Sequence, residues 1–231
     1  PDASSLYRKL ADHVGLVPGN LLLSAGSDGV IRSVFEAYIK PGDTVLHTDP
    51  TFAMYGVYCR IYGADARPLA YRPSNDGPIL SAADVVDAIG DLSPKLVCLP
   101  NPDSPTGTVF IQDEMGMIIE AAGKAGAVML VDEAYYPFHA ETVLPWVAQF
   151  PHLVVTRSTG KAWGLAGFRI GYGAASPEMA AILHKVRPMY ETNTIAIAVF
   201  EGMLDHVDDM RASVSRLESG KEIFLDGMEQ L

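Results

Sequence analysis

Short apolar runs alternate along the chain with longer stretches of helical periodicity, and this alternation constrains the fold more than any other feature. A short run bounded by turn residues reads as a buried strand. A stretch with apolar residues three and four apart reads as a helix laid across it. Strands are predicted over Leu21–Ser24, Val45–Thr48, Ala66–Tyr71, Leu96–Leu99, Val128–Val131, Leu153–Thr156 and Phe168–Gly173. Helices are predicted over Ser27–Ile39, Phe52–Tyr62, Ala82–Ile89 with Ser81 as N-cap, Gln112–Ala125, Pro177–Val186 and Ile195–His206. From Asp209 to Leu231 the apolar positions Val214, Leu217, Ile223, Phe224 and Met228 continue a helical spacing, interrupted at Gly220. The order predicts an α/β fold, a mostly parallel sheet with helices on both faces.

A chain of 231 residues, 48% apolar and 19% charged, can bury a full core. Its net charge of −11 means that nucleic-acid binding would need a local basic patch, and the sequence holds none. Cys59 and Cys98 lie among apolar neighbours and read as small buried hydrophobes, which fits a reducing cytoplasm. No apolar run reaches the length of a membrane span, and no signal peptide is evident. The histidines are scattered, with His13, His184 and His206 on helical stretches. None has metal-ligand spacing, and the acidic residues around His206 read as a solvated helix end, so no metal is expected.

Every polar motif of note falls at the end of a predicted strand: Gly26-Ser-Asp-Gly29, Asp49-Pro50, Asn101–Gly107, Asp132–Tyr135 and Ser158–Lys161. Open parallel sheets bind ligands outside the carboxyl ends of their strands, so these loops are expected to converge on one cleft. Lys161 follows a Ser-Thr-Gly turn between two predicted strands, and is expected to be held by backbone on both sides rather than left as a free surface charge. With small residues after it and Arg169 eight places on, it suits a lysine that forms an imine with a phosphorylated aldehyde. Asp132 at the tip of a buried strand needs a cation or several donors, and a protonated pyridine nitrogen would satisfy it. Tyr135 could donate to that ring's phenolic oxygen and Phe52 could stack on the ring. Taken alone, each is as well explained as a packed aromatic. Ser158 and Arg169 could bind phosphate, as could backbone amides at Ser27 and Asp28, where a helix begins. The spacing of a dinucleotide-binding glycine motif and of a Walker loop is absent.

Five motifs in this order resemble the class I/II aminotransferases of the fold-type I pyridoxal-phosphate superfamily. They are Ala25–Asp28, Asp49–Tyr55, Asn101–Gly107, Val131–Tyr136 and Ser158–Arg169. The branch containing histidinol-phosphate aminotransferase looks most similar. The resemblance covers nearly the whole chain. It implies pyridoxal 5'-phosphate as cofactor, with Lys161 as Schiff-base lysine and proton shuttle and Asp132 on the pyridine nitrogen. Tyr135 would contact the ring oxygen, Phe52 the ring face, and Ser27, Asp28, Ser158 and Arg169 the phosphate. It implies a small-molecule amino donor and a 2-oxo acid as substrates, and a homodimer with sites near the subunit interface. It further implies cis peptides at Asp49-Pro50 and Ser104-Pro105. On this reading residues 1–208 form the cofactor-binding large domain, and 209–231 a helix entering a small C-terminal domain. The chain opens on Pro1 without a methionine and stops inside a helical pattern, so both ends are expected to be cuts and the small domain largely missing.

One position departs from the family pattern. Asparagine usually precedes Pro-Thr-Gly and donates to the ring oxygen; here Ser104 stands there. Its shorter side chain has one donor, and is expected to reach that oxygen only through water. The rival readings are a decarboxylase or other pyridoxal-phosphate lyase on the same fold, and a non-catalytic relative that binds the cofactor.

Overall fold

In a computed structural model, residues 2–75 and 77–229 are described. Eight helices are present among them: α1 (Ser4–Val14), α2 (Ser27–Tyr38), α3 (Met54–Tyr62), α4 (Ala82–Leu92), α5 (Gln112–Lys124), α6 (Pro177–Val186), α7 (Thr194–Met203) and α8 (Val207–Glu229). The strands are β1 (Leu21–Ser24), β2 (Thr44–Asp49), β3 (Asp65–Ala70), β4 (Leu96–Pro100), β5 (Val128–Asp132), β6 (Leu153–Ser158) and β7 (Gly171–Ala175). They form one sheet in the order β1-β7-β6-β5-β4-β2-β3. The pairs from β3 through to β6 are parallel, and β7 is antiparallel to both β6 and β1. The mostly parallel α/β architecture expected from the alternation is therefore present, with β7 alone reversed.

The strand interiors explain why both faces carry helices. Along β4 and β5 the side chains alternate between two cores. Val97, Leu99, Met129 and Val131 face one, and Leu96, Cys98, Val128 and Leu130 face the other. Each strand is apolar on both faces, so each face must be covered. Leu6 and Leu10 of α1, Val85 and Ile89 of α4, Ile118 of α5 and Phe200 of α7 cover the first. Val30 and Val34 of α2, Tyr55 and Cys59 of α3 and Leu183 of α6 cover the second. Cys59 and Cys98 are buried free thiols in that second core. No helix among the described residues is long and apolar enough to cross a membrane.

The parallel strands bring their carboxyl ends to one edge of the sheet. Because β7 runs the other way, its amino end reaches that same edge, and Arg169, two residues before it, arrives there too. The predicted strand over Phe168–Gly173 is corrected accordingly. Ala166–Phe168 is a short 3-10 turn, Arg169 takes a left-handed φ of 54°, and the strand begins only at Gly171. A β-strand cannot continue through that backbone conformation.

Helix α8 is seated by its first half. Met210 and Val214 are buried against Ala162, next to Lys161, with Phe138 and Trp163 packed around them. Its second half leaves Leu217, Ile223, Phe224, Leu225 and Met228 exposed. Residues 230 and 231 of the helix expected over 209–231 lie outside the described residues.

Candidate active site

A cavity of about 430 Å³ opens at the carboxyl edge of the sheet, and its lining includes all nine residues singled out in the sequence. They come from six strand ends and the turns beside them. Ser27 and Asp28 begin α2 after β1, Phe52 follows β2, and Ser104 lies in the loop after β4. Asp132 ends β5 with Tyr135 just beyond, and Ser158 ends β6 with Lys161 beyond it. Arg169 enters from the reversed strand. Asp49-Pro50 and Ser104-Pro105 are cis, as expected, and so are Asn101-Pro102 and Tyr136-Pro137.

Asp132 sits on the cavity floor with 5% of its surface exposed. Its Oδ1 accepts from the Ala134 amide at 3.0 Å, and its Oδ2 from the Tyr55 hydroxyl at 3.3 Å. No Lys, Arg or His among the described residues lies within ion-pair range of it. Burial pushes its pKa up to about 7, against the pull of the Ala134 and Tyr55 hydrogen bonds. A buried carboxylate so placed is left to meet a cation that the chain itself does not supply.

Lys161 lines the same cavity with its side chain exposed, where the sequence had it held by backbone on both sides rather than left as a free surface charge. The amine rests 5.0 Å from the centroid of the Tyr135 ring. The Tyr135 phenol is held below its ordinary pKa, first by a hydrogen bond with Ser104 and then by the Lys161 charge. Ser104 thus lies beside Tyr135, a proximity the sequence did not suggest. Phe52 stands edge-on to Tyr55, with centroids 5.8 Å apart.

Gly26, at φ 80°, turns the chain into the start of α2, and Ser27 and Asp28 there line the cavity. The Arg169 guanidinium packs on this turn, with Nη2 donating to the Ala25 carbonyl at 3.3 Å. Ser158 Oγ accepts from the Gly160 amide at 3.1 Å. Gly171 permits this close approach. A Cβ there would lie 2.5 Å from the Gly26 carbonyl carbon and 2.6 Å from the Ser27 nitrogen, both backbone atoms. Gly171→Ala is expected to cost about 2–3 kcal/mol in urea unfolding and to weaken binding of inorganic phosphate, because the turn must move.

Two supports escaped the sequence reading. Tyr55, fully buried in α3, had the spacing of an ordinary core aromatic, although it closes the quoted Asp49–Tyr55 motif. Glu133 and Arg157 flank Asp132 and Ser158 from beneath. The Glu133 carboxylate accepts from Arg157 Nε and Nη2 at 2.9 and 2.8 Å, from Thr142 Oγ1, and from the Val143 amide at 2.8 Å. Arg157 also lies 3.5 Å over the Tyr136 ring. With side-chain exposures of 7% and 3%, neither charge tolerates loss of the other. Arg157→Leu is expected to destabilise the fold by about 3 kcal/mol, measured by denaturant titration.

A family model described as aminotransferase class I and II matches residues 2–231. Histidinol-phosphate aminotransferase of Caldanaerobacter subterraneus subsp. tengcongensis is 35% identical over 196 residues, covering 85% of this chain and 54% of that protein. The chain thus spans about half the length of that curated relative. The crystal structure of histidinol-phosphate aminotransferase from Sinorhizobium meliloti in complex with pyridoxal-5'-phosphate superposes with a TM-score of 0.86 at 23% identity, covering 95% of this chain and 59% of that one. A putative histidinol-phosphate aminotransferase from Erwinia carotovora atroseptica superposes with a TM-score of 0.91 at 24% identity, covering 99% and 66%. At these identities the two superpositions establish the fold.

Proposed function

The chain belongs to the class I and II aminotransferases, and on that premise we propose that the protein moves an amino group between an amino acid, or an amino-alcohol phosphate, and a 2-oxo acid with pyridoxal 5'-phosphate as cofactor. One observation carries the reading. A buried carboxylate without a cationic partner, Asp132, and an amine, Lys161, line one cavity whose rim is an anion-binding helix start and a guanidinium. These are the complements of a cationic ring, an aldehyde and a phosphate.

When bound, pyridoxal 5'-phosphate supplies an aldehyde that condenses with amines and a ring that draws electrons from the substrate α-carbon. In this reading the Ser27 and Asp28 amides, Ser158 and Arg169 hold the phosphate. Asp132 would hold a proton on the ring nitrogen through its charge. Phe52 would pack against the ring, and Tyr135, with Ser104 beside it, would serve the ring oxygen. The Lys161 amine would anchor the aldehyde and, once free, would take a proton from the substrate α-carbon and return it, as base and acid in turn.

The remaining proposals concern the whole protein. A homodimer is supported by the apolar Met189, Tyr190 and Ile195, which stay exposed. A cytoplasmic location fits the two unpaired thiols. Division into a large domain over 1–208 and a helix leading into a small domain is supported by the apolar second half of α8.

The test is product analysis with amino donors and 2-oxo acids on the purified protein. Stoichiometric appearance of the oxo product of the donor and the amino product of the acceptor is expected. Release of carbon dioxide from the donor would identify a decarboxylase, and cofactor binding without turnover a non-catalytic relative.

A further inference from the structure

The stretch Arg187–Asn193, which joins α6 to α7, touches both halves of the anion pocket from outside the cavity. We infer that this segment is a brace that sets the spacing between the α2 turn and the Arg169 loop, with Glu191 and Asn193 as its positioning residues. The inference rests on the reading of those two loops as a phosphate site.

Asn193 holds the Arg169 side. Its Nδ2 donates to the carbonyl of Phe168, the residue before Arg169, at 3.2 Å. Its Oδ1 accepts from the Ala196 amide at 2.8 Å, so the same side chain caps α7 and is fixed in direction.

Glu191 holds the α2 side. Its carboxylate fills the space left by the missing side chain of Gly29. A Cβ on that glycine would lie 2.2 Å from Glu191 Oε1 and 3.2 Å from Cδ. Burial raises the pKa of this carboxylate, and the nearby Ala25 amide pulls against that rise. Glu191 Oε2 and Asp28 Oδ1 are both buried without a partner. A second carboxylate beside the start of α2 opposes an incoming phosphate by like-charge repulsion. Its place there makes sense as alignment: it wedges the first turn of α2 at Gly29, close to the Ala25 amide.

The segment is also rooted at its start. Arg187 Nε donates to His184 Nδ1 at 3.1 Å, which leaves the proton of that ring on Nε2, 3.0 Å from the Leu21 carbonyl of β1. Met189 and Tyr190, 81% and 82% exposed, form its crest. Two side chains two residues apart therefore tie the helix start and the guanidinium loop to one short piece of chain. The end of the β1–β7 ladder at Ser24 and Gly171 and the Arg169 hydrogen bond to Ala25 also join the two loops, and the segment adds a tie from outside the cavity.

The experiment compares Glu191→Ala, Asn193→Ala and Glu191→Gln with the wild-type protein. The probes are pyridoxal 5'-phosphate, inorganic phosphate and pyridoxal, titrated by fluorescence, with amide exchange read at residues 25–29. Each alanine variant is expected to bind both phosphate-bearing probes about five- to tenfold more weakly, the effect of losing one hydrogen bond to a charged or buried partner. Pyridoxal affinity should stay within about twofold, since the brace acts on the phosphate side alone. Exchange at residues 25–29 should quicken in Glu191→Ala without any ligand. Glu191→Gln keeps the acceptor and removes the repulsion, so it should bind phosphate at least as tightly as wild type. Gly29→Ala should cost less in the Glu191→Ala background than alone. Alanine variants that bind phosphate within about twofold of wild type, with unchanged exchange at residues 25–29, overturn the brace and leave the cofactor reading standing. A wild-type protein that binds neither phosphate-bearing probe overturns both.

Discussion

Lys161→Ala is expected to lower the rate of amino transfer by about 10,000-fold or more, with the fold left within about 0.5 kcal/mol of wild type. The first expectation follows from the two roles placed on one amine. It holds the cofactor covalently and it carries the α-proton in both directions, and loss of a positioned acid–base group alone costs up to about 10,000-fold. The second follows from the structure around it. Lys161 is exposed, and it makes no ion pair among the described residues. Its removal leaves no buried partner unpaired, so none of the mechanisms of large destabilisation applies. Lys161→Arg should fail equally, because a guanidinium stays protonated and cannot act as base. Single-turnover kinetics alongside denaturant unfolding separate the two expectations.

Asp132→Asn is expected to make the cofactor-free protein more stable and the enzyme about 1,000-fold slower. Burial moves the Asp132 pKa from its ordinary 3.8 to about 7. A folded pKa above the unfolded one means that stability is fully present below about pH 4 and is lost as pH rises through about 7. At 1.36 kcal/mol per pKa unit the full penalty is about 4 kcal/mol as an upper bound, and about 1–3 kcal/mol is expected after relaxation. The difference in stability between variant and wild type should therefore grow from near zero at pH 4 to a plateau above pH 7. Since all other titrating groups are common to both proteins, the difference curve isolates this carboxyl. With pyridoxal 5'-phosphate bound, the sign should reverse. The ionised carboxylate then faces a cationic ring nitrogen, and the amide cannot keep that proton in place. A residue that weakens the empty fold and is indispensable in the loaded one is the mark of a binding group rather than a structural one.

The alternation of apolar runs carried most strands to within about two residues, because the central strands such as β4 and β5 are sandwiched between two cores and must be apolar on both faces. It failed at β7. The strand expected over Phe168–Gly173 begins only at Gly171, because the backbone at Arg169 breaks the run, and no periodicity records a left-handed φ. The reversed direction of β7 did have a signal: no helical stretch lies between Ser158 and Gly171, and a parallel return needs a crossover. Of the first helix, only His13 was expected to be part, although Leu6 and Leu10 already had the spacing of a buried stripe.

In the site, the residues at strand ends were legible because each is a polar group where an apolar run stops. Tyr55, Arg157 and Glu191 were not. Their side chains reach the site sideways from a core helix, from a mid-strand position and from a connecting segment, and such contacts leave no mark on local pattern. Ser104 was legible as a departure, but not its partner. The structure sets it beside Tyr135.

The most direct test of the account is reduction of the cofactor-loaded protein with sodium borohydride, followed by peptide mapping. A single pyridoxyl group on the peptide carrying Lys161, absent from the Lys161→Ala protein, is the predicted result. A label on another lysine, or an intact and folded preparation that retains no label, would contradict the assignment of this cavity.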